Sequence, residues 1–75
     1  MNLYKNLGGD SGVHSFEIGP DCIKVQFLDG VNYTYNYAVT GMDHVERMKE
    51  LAIFGQGLNS YINKYVRKLY AFKTN

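Results

Sequence analysis

This chain of 75 residues has one cysteine, one proline and no tryptophan. With Cys22 alone, no intrachain disulfide can form, and no Cys-x-x-Cys or His/Cys cluster is spaced to hold zinc. A lone thiol suits a reducing compartment. No apolar stretch approaches 18 residues, and no charged start leads into an apolar run. The expectation is a cytoplasmic protein that neither crosses nor anchors in a membrane. Linkers and repeats are also absent, so residues 1–75 read as a single small domain. At this length only about 60% of the unfolded chain's surface is buried on folding. Without disulfide or metal, self-association into a homo-oligomer is the expected supplement to such a core.

Acidic residues are absent from the C-terminal end. Up to Ser60 there are four basic against seven acidic residues, and from Tyr61 onward four basic residues (Lys64, Arg67, Lys68, Lys73) and no acid. Such an end favours an anionic partner, although cations near a helix C-terminus also complement its dipole without any ligand.

Tyrosine, by contrast, is plentiful, with seven in all and three in the run Tyr33-Thr-Tyr-Asn-Tyr37. Such a row is either a platform on which bases stack or the inner face of a strand. Register separates the two. Val13 to Ile18 alternates, with His14, Phe16 and Ile18 on one side, and Ile23, Val25 and Phe27 alternate with Lys24 and Gln26. A two-residue Asp29-Gly30 loop would pair the tyrosines with Lys24 and Gln26 and break the apolar side. A three-residue loop with Gly30 in the left-handed position pairs Phe27 with Val31, Val25 with Tyr33 and Ile23 with Tyr35. A four-residue turn at Gly19–Cys22 likewise pairs Ile18 with Ile23 and Phe16 with Val25. One apolar face results, and the tyrosines are on it. The other face carries Ser15, Glu17, Lys24, Gln26, Asn32, Thr34 and Asn36.

After Tyr37 the period becomes helical. Thr40 followed by Asp43 reads as a helix cap, and Val45, Met48, Leu51 and Ala52 form a stripe. Gly55 and Gly57 end that helix. A second has Leu58, Tyr61, Ile62, Tyr65, Val66 and Leu69 on one side. The expected fold is α+β, in the order βββαα: a three-stranded antiparallel meander, with Leu3–Leu7 as a candidate fourth, edge strand, and two amphipathic helices packed on one face.

For catalysis the residues give little. His14, expected on the inner face, and His44, expected on a helix surface, have acids nearby in sequence but no nucleophile or phosphate-loop pattern. The expectation is a non-enzymatic protein with no metal and no cofactor. Gly8–Gly12 (GGDSG) reads either as a flexible turn or as an anion-binding nest of backbone amides. The polar sheet face (Thr34, Asn36), the Gly55-Gln56-Gly57 junction with Asn59 at the start of the second helix, and the basic side of that helix are the remaining candidates.

The sequence of strand, Asp-Gly turn, Tyr33-x-Tyr35, helix, Gly55-x-Gly-Leu-Asn59, Tyr61-Ile62 and Val66-Arg-Lys-Leu-Tyr70 resembles the KTSC domain family over about residues 13–71. The matching positions are Ser15, Phe27, Gly30, Tyr33, Tyr35, Gly55, Asn59, Ile62 and Tyr65 or Tyr70. This chain departs from the family pattern in Asn36–Gly41, where Val-Pro is usual after the second tyrosine, and at Ile53, where a small residue is usual. The family occurs at the C-terminus of some lysyl-tRNA synthetases and as small bacterial and phage proteins. The resemblance implies RNA binding.

The resulting expectation is a binding module for RNA or a phosphate-bearing nucleotide. Lys64, Arg67 and Lys68 would meet phosphate, Tyr33 and Tyr35 would stack or support, and Thr34, Asn36, Gln56 and Asn59 would complete the candidate set. The alternatives are a phage-type protein sequestering a small nucleotide between subunits, and a protein–protein interaction module that docks through residues such as Phe54, Tyr70 or Phe72.

Overall fold

The computed structural model describes residues 1–9 and 11–74; Asp10 of the Gly8–Gly12 turn, and with it that turn's reading as a nest, lies outside the described residues, as does Asn75. Five antiparallel strands form one sheet in chain order: β1 (Asn2–Leu3), β2 (Val13–Ile18), β3 (Cys22–Phe27), β4 (Asn32–Asn36) and β5 (Phe72–Thr74). Between β4 and β5 lie α1 (Met42–Phe54) and α2 (Leu58–Tyr61), which runs on into a π-helical stretch (Ile62–Val66). The class is α+β, with the meander ahead of the helices as expected. Among the described residues the strand count is five rather than three or four. The N-terminal edge strand is Asn2–Leu3, not Leu3–Leu7, and β5 follows the helices to pair along β4.

The central register is the one that the apolar pattern demands. Val25 lies opposite Tyr33 and Ile23 opposite Tyr35, while Ile18 pairs with Ile23 and Phe16 with Val25. At the hairpin, the Phe27 N–H donates to the Val31 carbonyl and Gly30 takes φ 87°, a conformation that costs glycine nothing. The other end of β2 differs from expectation. The register shifts between Val13 and Ser15, a bulge that turns Val13 inward and leaves His14 exposed. His14 therefore sits outside the core, its Nδ1 3.2 Å from Ser15 Oγ.

The helices cover the inner face. Phe16, Ile23, Val25 and Tyr35 from the sheet meet Val45, Met48 and Ala52 from α1 and Leu58, Ile62 and Val66 from the second helix. Tyr4 and Val13 complete this core. Full burial of such side chains stabilises the fold by about 1.5–3 kcal/mol each. Ile18, expected inside, lies at the rim. α1 starts one residue after Gly41, without a side-chain cap. Thr40, expected as that cap, instead donates its hydroxyl to the Leu69 carbonyl at 2.6 Å, tying the start of α1 to the segment that follows the second helix. That second helix stops at Val66, so Leu69 lies in the following turn and is exposed. Its expected stripe holds at Leu58, Ile62 and Val66, but Tyr65 is exposed. No helix among the described residues is long and apolar enough to cross a membrane.

Candidate functional site

Helix and sheet do not close fully against each other. A cleft of roughly 380 Å³ opens between them, within the size range of small-molecule sites. Phe27, Tyr33 and Tyr35 form its floor, Ile62, Asn63 and Arg67 its helical wall, and Gly12, Leu28 and Asp29 its end.

The floor is aromatic because β3 and β4 put these residues on the inner face at alternate positions. Tyr33 stacks beside Tyr35, with ring centres 6.4 Å apart and planes at 24°. Phe27 meets Tyr33 edge-on at 5.4 Å, and Tyr70 does so from the other side at 5.0 Å. Tyr35 is only 1% exposed. Burial, reinforced by the neighbouring phenols of Tyr33 and Tyr70, pushes its hydroxyl far above the usual tyrosine range. The Tyr35 phenol therefore stays uncharged. The tyrosine row thus divides: Tyr35 belongs to the core, Tyr33 to the cleft, and Tyr37, beyond the end of β4, to another contact. Tyr37 donates its hydroxyl to Glu46 Oε2 at 2.6 Å, and Lys49 reaches the same carboxylate at 2.8 Å.

The helical wall supplies polarity. Asn63 and Arg67, four residues apart, both line the cleft, above Ile62. A single π turn widens the helix at just this place, a feature often found at functional sites. The end wall is tied to the sheet: the Leu28 N–H donates to the Gly12 carbonyl at 2.9 Å. Asp29 Oδ1 accepts the Val31 N–H at 3.0 Å, which fixes the carboxylate at the rim. A second cation arrives from β5. Lys73 lies opposite Tyr33 in register, and its Nζ is 5.7 Å from the Tyr33 ring centre, within cation–π range. The cleft thus sets an aromatic floor against the Arg67 guanidinium and the Asn63 amide, with the Asp29 carboxylate at its end and Lys73 beside Tyr33.

The residues singled out in the sequence are dispersed. Arg67, Tyr33 and Tyr35 share the cleft. Lys64 and Lys68 are exposed outside it. Thr34 and Asn36 point to the opposite face of the sheet, where Thr34 faces Phe72 of β5 and Asn36 Oδ1 accepts the Val39 N–H at 2.9 Å. Gln56 and Asn59 line a separate polar cavity of about 210 Å³ together with Tyr4, Asn6 and Ser11. Asn63, Asp29 and Lys73 escaped the sequence reading. The inward register of β3 and β4 already implied Phe27, whereas Lys73 required knowledge of β5.

His44 Nδ1 lies 2.7 Å from the Tyr61 hydroxyl, on the side of the second helix that faces α1. Among the described residues no three of His, Cys, Asp and Glu stand together as a metal site. No protein-family model, curated protein or solved structure matches the chain.

Proposed function

We propose that the protein is a non-enzymatic binding module for a nucleotide, free or within RNA, and that the cleft holds its base and one phosphate. The observation that carries this reading is the aromatic floor of Phe27 and Tyr33 facing Asn63 and Arg67 across a cavity of nucleotide-compatible size. The base lies against the Tyr33 ring, where stacking contributes about 1–3 kcal/mol and favours no particular base. Arg67 meets the phosphate with paired N–H donors, the geometry guanidinium groups provide, and Lys73 adds a point charge. The resemblance to KTSC domains, with their synthetase context, favours the same class of ligand.

The test is titration of the protein with uridine monophosphate and a short oligouridylate at about 50 mM and about 200 mM salt. Binding should weaken as salt rises. Arg67→Ala should lower affinity about tenfold or more, as expected for loss of a charge-assisted hydrogen bond worth about 1.5–3 kcal/mol. Absence of binding, salt-indifferent binding, or an Arg67→Ala variant that binds normally would overturn the reading.

Self-association is a second reading, favoured by the exposed Phe54 and Phe72. It predicts a dimer or higher species in analytical ultracentrifugation that Phe54→Ser or Phe72→Ser dissociates. A monomer at every concentration would reject it.

A further inference from the structure

Three rings cluster on the opposite side of the second helix from the cleft. Tyr65 stacks on His44 with centres 6.1 Å apart and planes at 29°. Tyr61 lies 4.7 Å from Tyr65 and 5.8 Å from His44. The contact of 2.7 Å between His44 Nδ1 and the Tyr61 hydroxyl locks these two rings together, and Tyr65, 50% exposed, leans on both. The core does not use Tyr65, and Tyr65 has no part in the cleft. A large ring held by two others with half its surface in water is a prepared stacking surface.

Charge links this cluster to the cleft. Going round the second helix and the turn that continues it, Tyr61 and Tyr65 come first, then Lys64 and Lys68, then Asn63 and Arg67. Lys64 and Lys68 are exposed, and Lys64 Nζ lies 5.3 Å from the Tyr65 ring centre. An exposed cation–π contact of this kind is weaker than the stacking of a base on tyrosine. The lysine therefore yields the ring to a base and turns to a phosphate. Asp43 and Arg47 of α1, one charge of each sign, act in opposite senses on the Tyr61 hydroxyl.

We infer that the ligand is single-stranded nucleic acid several nucleotides long, laid across the outside of the second helix. One base would sit in the cleft and another on Tyr65, with Lys64, Lys68 and Arg67 following the backbone between them. The helix is about 10–12 Å across with its side chains, a width that a few nucleotides span. This arrangement of aromatics flanking a basic track is the general means of holding single strands. The inference rests on the cleft reading and extends it, because it makes a mononucleotide only a fragment of the ligand.

The experiment compares uridine monophosphate with an oligouridylate of about six nucleotides on the full chain and on Tyr65→Ala, Tyr65→Phe and Arg67→Ala. The strand should bind at least about tenfold more tightly than the mononucleotide. Tyr65→Ala should lower strand affinity about tenfold and leave mononucleotide affinity unchanged, Tyr65→Phe should retain both, and Arg67→Ala should weaken both. Melting curves confirm that the variants are folded. If the strand binds no more tightly than the mononucleotide, or if Tyr65→Ala binds it normally while Arg67→Ala does not, the inference fails and the cleft reading stands. If Tyr65→Ala weakens the strand but Arg67→Ala changes nothing, the cleft reading fails, and with it the path across the helix.

Discussion

At the scale of single residues, Tyr35 shows how position changes chemistry. It stands two residues from Tyr33 on the same strand face, yet it is 1% exposed while Tyr33 is only partly buried. An ordinary tyrosine loses its proton near pH 10. Burial, then Tyr33 and Tyr70, raise Tyr35 far above that. The unfolded chain therefore releases this proton near pH 10 while the folded chain keeps it. The stabilisation is fully present below that pH and is lost as pH rises further. Tyr35→Phe should flatten the decline in melting temperature between about pH 9 and about pH 11. Below that range the variant should differ by no more than about 1 kcal/mol, since only one hydroxyl is removed. Tyr37, raised by its hydrogen bond to Glu46, and Tyr61, raised by burial, keep part of the slope. Parallel declines in variant and parent would show that Tyr35 does not govern the alkaline limb.

At the scale of elements, the junction between the helices depends on Gly55. It adopts φ 89°, donates its N–H to the Leu51 carbonyl as a left-handed helix cap, and accepts the Leu7 N–H at 2.7 Å. A Cβ there would come within 2.6 Å of Lys5 Cβ, a near-backbone atom with little freedom to move. Gly55→Ala combines left-handed strain of about 1–3 kcal/mol with that collision. The expected result is a melting temperature lower by roughly 10 °C, at about 4–8 °C per kcal/mol for a domain of this size. Gly9→Ala, also at positive φ but with nothing within 4 Å, should cost less. Equal losses would show that the Lys5 contact is slack. Elements also show what the sequence could reveal. The β3–β4 register was legible because a period of two tolerates only one pairing that keeps Ile23, Val25, Tyr33 and Tyr35 on one face. The bulge was not, because Val13-His14-Ser15-Phe16 places an apolar residue inward in either phase, and only the partner strand decides. β5 was invisible for another reason: Phe72-Lys73-Thr74 is too short to signal itself and becomes a strand through the free edge of β4, with the Ala71 N–H donating to the Thr34 carbonyl at 2.7 Å. Lys64, Arg67 and Lys68 read as one basic side. They separate in space because Arg67 turns to the cleft while Lys64 stays beside Tyr65.

At the scale of the whole molecule, the two layers are fastened by contacts between residues far apart in sequence. Thr40 reaches Leu69 across 29 positions, and Tyr4 accepts the Leu58 N–H at 3.2 Å across 54. Tyr4 is 6% exposed and belongs to the same core as Tyr35 and Val66. The N-terminal segment is thereby part of the packing around the second helix rather than an appendage to it. For a domain of this length a total stability of about 4–11 kcal/mol is expected, from roughly 0.05–0.15 kcal/mol per residue. A single interior hydrogen bond is a sizeable share of that. Tyr4→Phe keeps the ring but strips the partner from the Leu58 N–H, a buried donor at the start of the helix, at a cost of about 1–3 kcal/mol. Because Tyr4, the sheet and both helices contribute to one core, the loss should appear everywhere at once. Far-ultraviolet circular dichroism, which follows the helices, and tyrosine fluorescence, which follows the packing of tyrosines in both layers, should give coincident transitions in parent and variant, both shifted to lower temperature in Tyr4→Phe. A fluorescence change preceding the loss of helix would mean that side-chain packing loosens while the helices persist, and that the fold does not melt as one unit.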